Sequence, residues 1–135
     1  MTRSTGNLDS PANAVVIFEY PTLRYLSDVI QALGFSVMPF EDAGQAIQYI
    51  RDDSTYVSVI IANGVMLGVM NDTDIATVLS QSYPTLPIIL LDHYDGLVAN
   101  NVMCIDKPWT LEDVGTQALV MVARLPVGKR PLKAG

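Results

Sequence analysis

Four residues that close apolar runs in this chain are of types that could do chemistry, namely Glu19, Asn63, Asp92 and Lys107. Carboxylates such as Glu19 and Asp92 supply oxygens for a cation, and a lysine ammonium binds an anion. Asn63 stands apart, because an amide carries no charge and is a poor nucleophile. His93 is the one histidine and has no second ligand or apposed nucleophile beside it, which suits a surface or hydrogen-bonded role. Cys104 is the only cysteine, so neither an intrachain disulfide nor a multi-cysteine metal site can form. On a strand it reads as a small core residue rather than a reactive thiol.

Whether these groups meet depends on the elements that carry them. Residues 57–62, Val-Ser-Val-Ile-Ile-Ala, are apolar apart from Ser58, which predicts a central strand buried on both faces. Asn63-Gly64 ends it with a turn, and a helical pattern resumes at Asp72 with Ile75, Val78 and Leu79 inward. Residues 15–18 make an earlier buried strand. Pro21 then opens a helix carrying Leu23, Leu26, Val29, Ile30 and Leu33 up to Gly34. A second strand over 35–40, a turn at 41–44 and a helix with Ala46, Ile47 and Ile50 inward follow. Further strands are predicted over 87–91 and 102–105, with a weakly helical segment over 93–101 between them. Thr110 caps the last helix, whose inner face is Val114, Ala118, Leu119 and Val122.

Strands alternating with helices in this way imply an α/β fold, a three-layer, doubly wound, five-stranded parallel sheet in the flavodoxin-like order 2-1-3-4-5. In such a sheet the carboxyl ends of the strands open on a shared crevice. The expected organisation is a flexible leader over 1–13, one domain over 14–125 and a flexible tail over 126–135. With 135 residues, 50% hydrophobic and 16% charged, the chain suits a single core. Its net charge of -6 argues against nucleic acid as a partner. No apolar run has the length of a membrane span, and the start lacks the apolar stretch of a signal peptide, so a cytoplasmic protein is expected.

The strand ends then carry a specific resemblance. Phe18-Glu19, Asn63-Gly64-Val65-Met66-Leu67-Gly68, Asp92 and Lys107-Pro108-Trp109 resemble, in order and spacing, the receiver domain of two-component response regulators. The resemblance spans nearly all of residues 14–125. It implies an acidic pair after the first strand, a phosphorylated Asp after the third followed by a Met-Pro-Gly turn, a hydroxyl residue after the fourth and a Lys-Pro-aromatic triplet after the fifth. Lys107-Pro108-Trp109 matches the triplet in full, and Leu67 replaces the turn's proline.

Against that pattern the acidic pair has become Phe18-Glu19, the phosphoacceptor Asn63, and the hydroxyl position Asp92. Cys104 occupies the place of the family's aromatic switch residue. Without a carboxylate at position 63, aspartyl phosphorylation there is lost. No cofactor is expected; a Mg²⁺ ion would have Glu19 and Asp92 as its acidic oxygens. The reading is a degenerate, non-catalytic receiver, with Asp92 and Lys107 as remnants of the phosphate site. It would act in a phosphorelay through a protein partner, a histidine kinase, a phosphotransferase or a downstream regulator, or through self-association. The face implied by the resemblance is that of the fourth helix, fifth strand and fifth helix. The alternative is a phosphorylatable domain that uses Asp92 or Asp95. A flavodoxin-type ligand site fits less well, since residues 19–23, Glu-Tyr-Pro-Thr-Leu, lack the run of glycines and hydroxyls that cradles a phosphate.

Overall fold

The computed structural model describes residues 12–66, 69–70, 73–92 and 99–124. Its frame is a five-stranded parallel sheet of β1 (Asn13–Ile17), β2 (Ser36–Phe40), β3 (Val59–Asn63), β6 (Ile88–Leu91) and β7 (Val102–Ile105), in the order β2-β1-β3-β6-β7. Counted along this sheet, the order is the expected 2-1-3-4-5. The short strands β4 (Val69–Met70) and β5 (Thr73–Asp74) form a separate antiparallel pair that the helical reading from Asp72 did not foresee.

Period-two alternation decides the two cores. Ala14, Val16 and Phe18, with Val59, Ile61, Ile89 and Leu91, face helices α1 (Thr22–Ala32) and α4 (Leu111–Arg124). Val15 and Ile17, with Ile60, Ala62, Ile88 and Leu90, face α2 (Ala43–Arg51) and α3 (Ile75–Ser82). Each apolar run is therefore buried on both sides, as the sequence predicts for central parallel strands.

Several local details differ from the sequence reading, each for a physical reason. Asp42 accepts a hydrogen bond from the Gly44 backbone N–H at 2.8 Å, so Ala43 and Gly44 form the first turn of α2 rather than a free turn. Asp74 accepts from Thr77 N–H at 3.2 Å and starts α3 three residues later than Asp72, which puts Ala76, Leu79 and Ser80 inward. In α4, Thr110 and Asp113 cap reciprocally, Thr110 Oγ1 accepting from Asp113 N–H at 3.0 Å and the Asp113 carboxylate from Thr110 N–H at 3.2 Å. The buried face of α4 is Val114, Gly115, Ala118 and Met121, and Leu119 points outward.

Cys104 also departs from expectation. It pairs with Leu90 on the edge strand β7, which has a sheet neighbour on one side only, and its side chain is exposed. Asn101, read as a weak helix former, is 3% exposed. Its Oδ1 accepts from Ser80 Oγ at 2.8 Å, and its Nδ2 donates to the carbonyls of Leu86 at 2.9 Å and Tyr83 at 3.2 Å. One side chain thus ties the end of α3 to the approach of β6. His93, Asp95 and most of the 93–101 segment lie outside the described residues, as does the tail beyond Arg124.

Candidate functional site

The carboxyl ends of β1, β3, β6 and β7 meet in one crevice, and their side chains touch in a chain across it. From β3, Asn63 folds its amide back on the following turn, with Oδ1 accepting from Val65 N–H at 2.8 Å. Gly64 N–H donates to the Leu91 carbonyl at 2.8 Å, which pins this turn to the end of β6. Asn63 Nδ2 points at Asp92 Oδ2 from 3.5 Å, the outer limit of a hydrogen bond.

Asp92 is the hub. Its φ of 70° lies in the left-handed region, which Asp tolerates and β-branched residues do not. Its Oδ1 accepts from the Trp109 indole Nε1–H at 2.8 Å. Lys107 Nζ lies 3.9 Å from Oδ2, with the Lys107 side chain 74% exposed and that of Asp92 15% exposed. The indole, not the ammonium, is the close partner. Trp109 in turn meets the Phe18 ring edge-on, centroids 6.0 Å apart, and Phe18 belongs to the core at 5% exposure. The pocket left beside this chain, about 340 Å³, is lined by Val65, Asp92, Asp106 and Lys107.

Of the residues predicted from sequence, Asn63, Asp92 and Lys107 are brought together here, while Glu19 ends exposed after β1. Cys104 faces away along the edge strand, where burial first and the Asp106 carboxylate second raise its thiol above the ordinary value of 9.0. Trp109 is the residue that sequence reasoning underrated, since it counted only as the aromatic of the Lys107-Pro108-Trp109 triplet. An indole N–H needs an acceptor when it is drawn inward, and Asp92 is the acid nearest to hand.

Chemically, the crevice presents the Asn63 amide, the Asp92 carboxylate and the Lys107 ammonium, and of these only the carboxylate could act as a nucleophile or give an anionic oxygen to a cation. The residues present do not fit Mg²⁺, because Phe18 brings a ring and Asn63 an amide in place of acidic oxygens. Among the described residues no group of three His, Cys, Asp or Glu side chains could hold a metal ion.

This frame, five parallel strands in 2-1-3-4-5 order with the crevice at their carboxyl ends, is the fold of response-regulator receiver domains. A receiver domain protein from Clostridium thermocellum superposes with a TM-score of 0.66 at 19% identity, covering 84% of this chain and 95% of that one. A CheY-like receiver domain protein from Methanospirillum hungatei gives 0.68 at 13% identity, covering 87% and 98%. The chemotaxis response regulator CheY4 of Vibrio cholerae gives 0.62 at 18% identity, covering 84% and 98%. No family model and no curated protein sequence matches the chain. Among the described residues no helix is long and apolar enough to cross a membrane.

Proposed function

We propose that this chain is a receiver-like signalling module of the two-component type that takes no phosphoryl group at position 63 and acts by binding protein. One observation carries this reading. The crevice is spanned by Phe18, Trp109, Asp92 and Asn63, with the Asp92 carboxylate, held by Trp109 at 2.8 Å, where a bound phosphoryl group would bring negative charge. A fixed carboxylate supplies permanently what phosphorylation would supply on demand, so the module has one state where a receiver has two. Its partner is then a histidine kinase, a phosphotransferase or a downstream regulator that reads that state.

Incubation of the purified chain with a small acyl phosphate and Mg²⁺, followed by intact-mass measurement, tests the proposal. The expected result is an unmodified mass. An acid-labile phosphoryl adduct would overturn it, and peptide mapping of the adduct to Asp92 or Asp95 would establish the alternative acceptor.

A further inference from the structure

The five-stranded sheet has two edges, β2 and β7, and they are finished differently. In a parallel ladder, alternate residues turn their N–H and C=O groups to one neighbour and the rest turn theirs to the other side. In β2, Ser36 N–H donates to the Ala12 carbonyl and the Phe40 carbonyl accepts from Phe18 N–H, so positions 36, 38 and 40 serve β1. Positions 37 and 39 face outward. Position 39 is proline, which has no N–H to offer, so a strand added to this edge loses a bond there.

β7 carries no such block. Ile88 N–H donates to the Asn101 carbonyl at 2.7 Å and Asp92 N–H to the Ile105 carbonyl at 3.1 Å, so positions 101, 103 and 105 serve β6. Positions 102, 104 and 106 face outward. Val102 N–H is spent on the Ala99 carbonyl at 3.1 Å. The Val102 carbonyl, both backbone groups of Cys104 and Asp106 N–H are left without a partner among the described residues. Acceptor, donor, acceptor and donor thus follow one another along the open edge, the set that an added strand takes up.

The surroundings of this edge say what kind of strand fits. A groove of about 450 Å³ runs between β7 and α4, lined by Met103, Cys104, Ile105, Asp106, Asp113 and Gln117. Met103 and Ile105 are only partly buried against the α1/α4 core, so an apolar side chain of an added strand would complete their cover. Asp106, just past the end of β7, and Asp113, in the first turn of α4, are exposed, and neither has an ion-pair partner among the described residues. Together with the net charge of -6, these two carboxylates favour a basic segment over a second copy of this acidic chain.

We propose that the β7 edge docks an extended segment of a partner protein, which joins the sheet as a sixth strand with an apolar side chain over Met103 and Ile105 and a Lys or Arg at Asp106 and Asp113. This inference rests on the reading of the chain as a protein-binding module and adds to it the mode of recognition, main-chain pairing, and the chemistry of the partner.

Amide hydrogen exchange combined with selection from displayed random peptides tests it. In the free chain the amides of Met103 and Ile105 should exchange slowly and those of Cys104 and Asp106 fast. Protection of Cys104 and Asp106 in the free chain, by its own residues or by a second copy, overturns the proposal. Peptides selected on the purified chain should converge on alternating apolar residues with Lys or Arg near one end, and a selected peptide should slow exchange at Cys104 and Asp106. Cys104→Pro puts on β7 the block that Pro39 puts on β2; the lost N–H faces outward, so the ladder to β6 stays whole. This variant should bind the peptide roughly tenfold more weakly. Asp106→Lys should have an effect of about the same size, and added salt should weaken wild-type binding more than that of the variant. Failure of the selection to converge overturns the proposal, as does a peptide that binds both variants as tightly as wild type, each with an unchanged far-ultraviolet circular dichroism spectrum. A selected peptide that protects another surface overturns the edge and leaves the protein-binding reading standing. A phosphoryl adduct in the mass measurement does the reverse.

Discussion

Trp109 holds Asp92 at 2.8 Å while Lys107 stands 3.9 Å away with most of its side chain in water, and this ordering sets the energetics of the crevice. A hydrogen bond to a charged acceptor contributes more than an exposed ion pair, whose attraction water screens. Trp109→Phe keeps a ring against Phe18 but removes the donor. It should cost about 1–2 kcal/mol in urea denaturation. Lys107→Met should cost less than about 0.5 kcal/mol by the same measurement. Cycles of each with Asp92→Gly, a residue that accepts the positive φ, should give a clear coupling for Trp109 and almost none for Lys107. A Thr at position 92 would confound such a cycle with backbone strain. Cys104 supplies a second prediction at this scale. Its raised thiol stays protonated at neutral pH, so iodoacetamide should label it more slowly than a free peptide thiol despite its exposure. A group raised in the folded state contributes stability that is present below its unfolded pKa, here near 9.0, and that is lost as pH rises further through the folded value. Denaturation midpoints should therefore fall above that pH, and less so in Cys104→Ser.

Among the elements, the junction between α3 and β6 depends on one amide. Asn101 satisfies the Ser80 hydroxyl and two backbone carbonyls in a place that water barely reaches. Asn101→Ala should destabilise the fold by about 2–3 kcal/mol, because it leaves the buried Ser80 hydroxyl and the buried Leu86 carbonyl short of a partner. Asn101→Ser, with one shorter donor, should recover only part of that. Equilibrium unfolding checks both, and a cost below about 0.5 kcal/mol would show that solvent replaces the amide. At the start of α4 the reciprocal contact of Thr110 and Asp113 is more exposed, so Thr110→Ala should cost about 1 kcal/mol.

For the whole molecule, the site and the core are the same object at Phe18. The residue stands at the position to which the receiver resemblance assigns an acid, yet its ring lies in the α1/α4 core against Trp109. Returning the chemistry is thus not a matter of exchanging residues in a cleft. Asn63→Asp should leave the fold intact, since position 63 is only half-buried, and should not restore Mg²⁺-dependent phosphorylation by itself. Adding Phe18→Asp removes a core ring and places a charge among apolar side chains, which should cost more than about 3 kcal/mol. Thermal denaturation of the single and double variants measures this directly. A Phe18→Asp chain as stable as wild type would mean that the crevice admits water to the position.

The sequence by itself determined the sheet. Runs such as residues 57–62 and 87–91 are apolar on both faces, which a central parallel strand satisfies, and their alternation with helices made the five-stranded order legible, though not the short β4–β5 pair. It also determined that Asn63, Asp92 and Lys107 would end neighbouring strands, because topology alone brings strand ends together. Only the tertiary structure decided which of them touch. The choice of Trp109 over Lys107 as the close partner of Asp92 depends on side-chain reach and on how water screens an exposed ammonium, and neither is a property of spacing. The outward turn of Leu119 follows from the phase of α4 against the sheet, which a few degrees of helix rotation set. The same holds for Asn101: its residue type suggested a weak helix, and only the meeting of α3, β6 and β7 gave it three partners to satisfy.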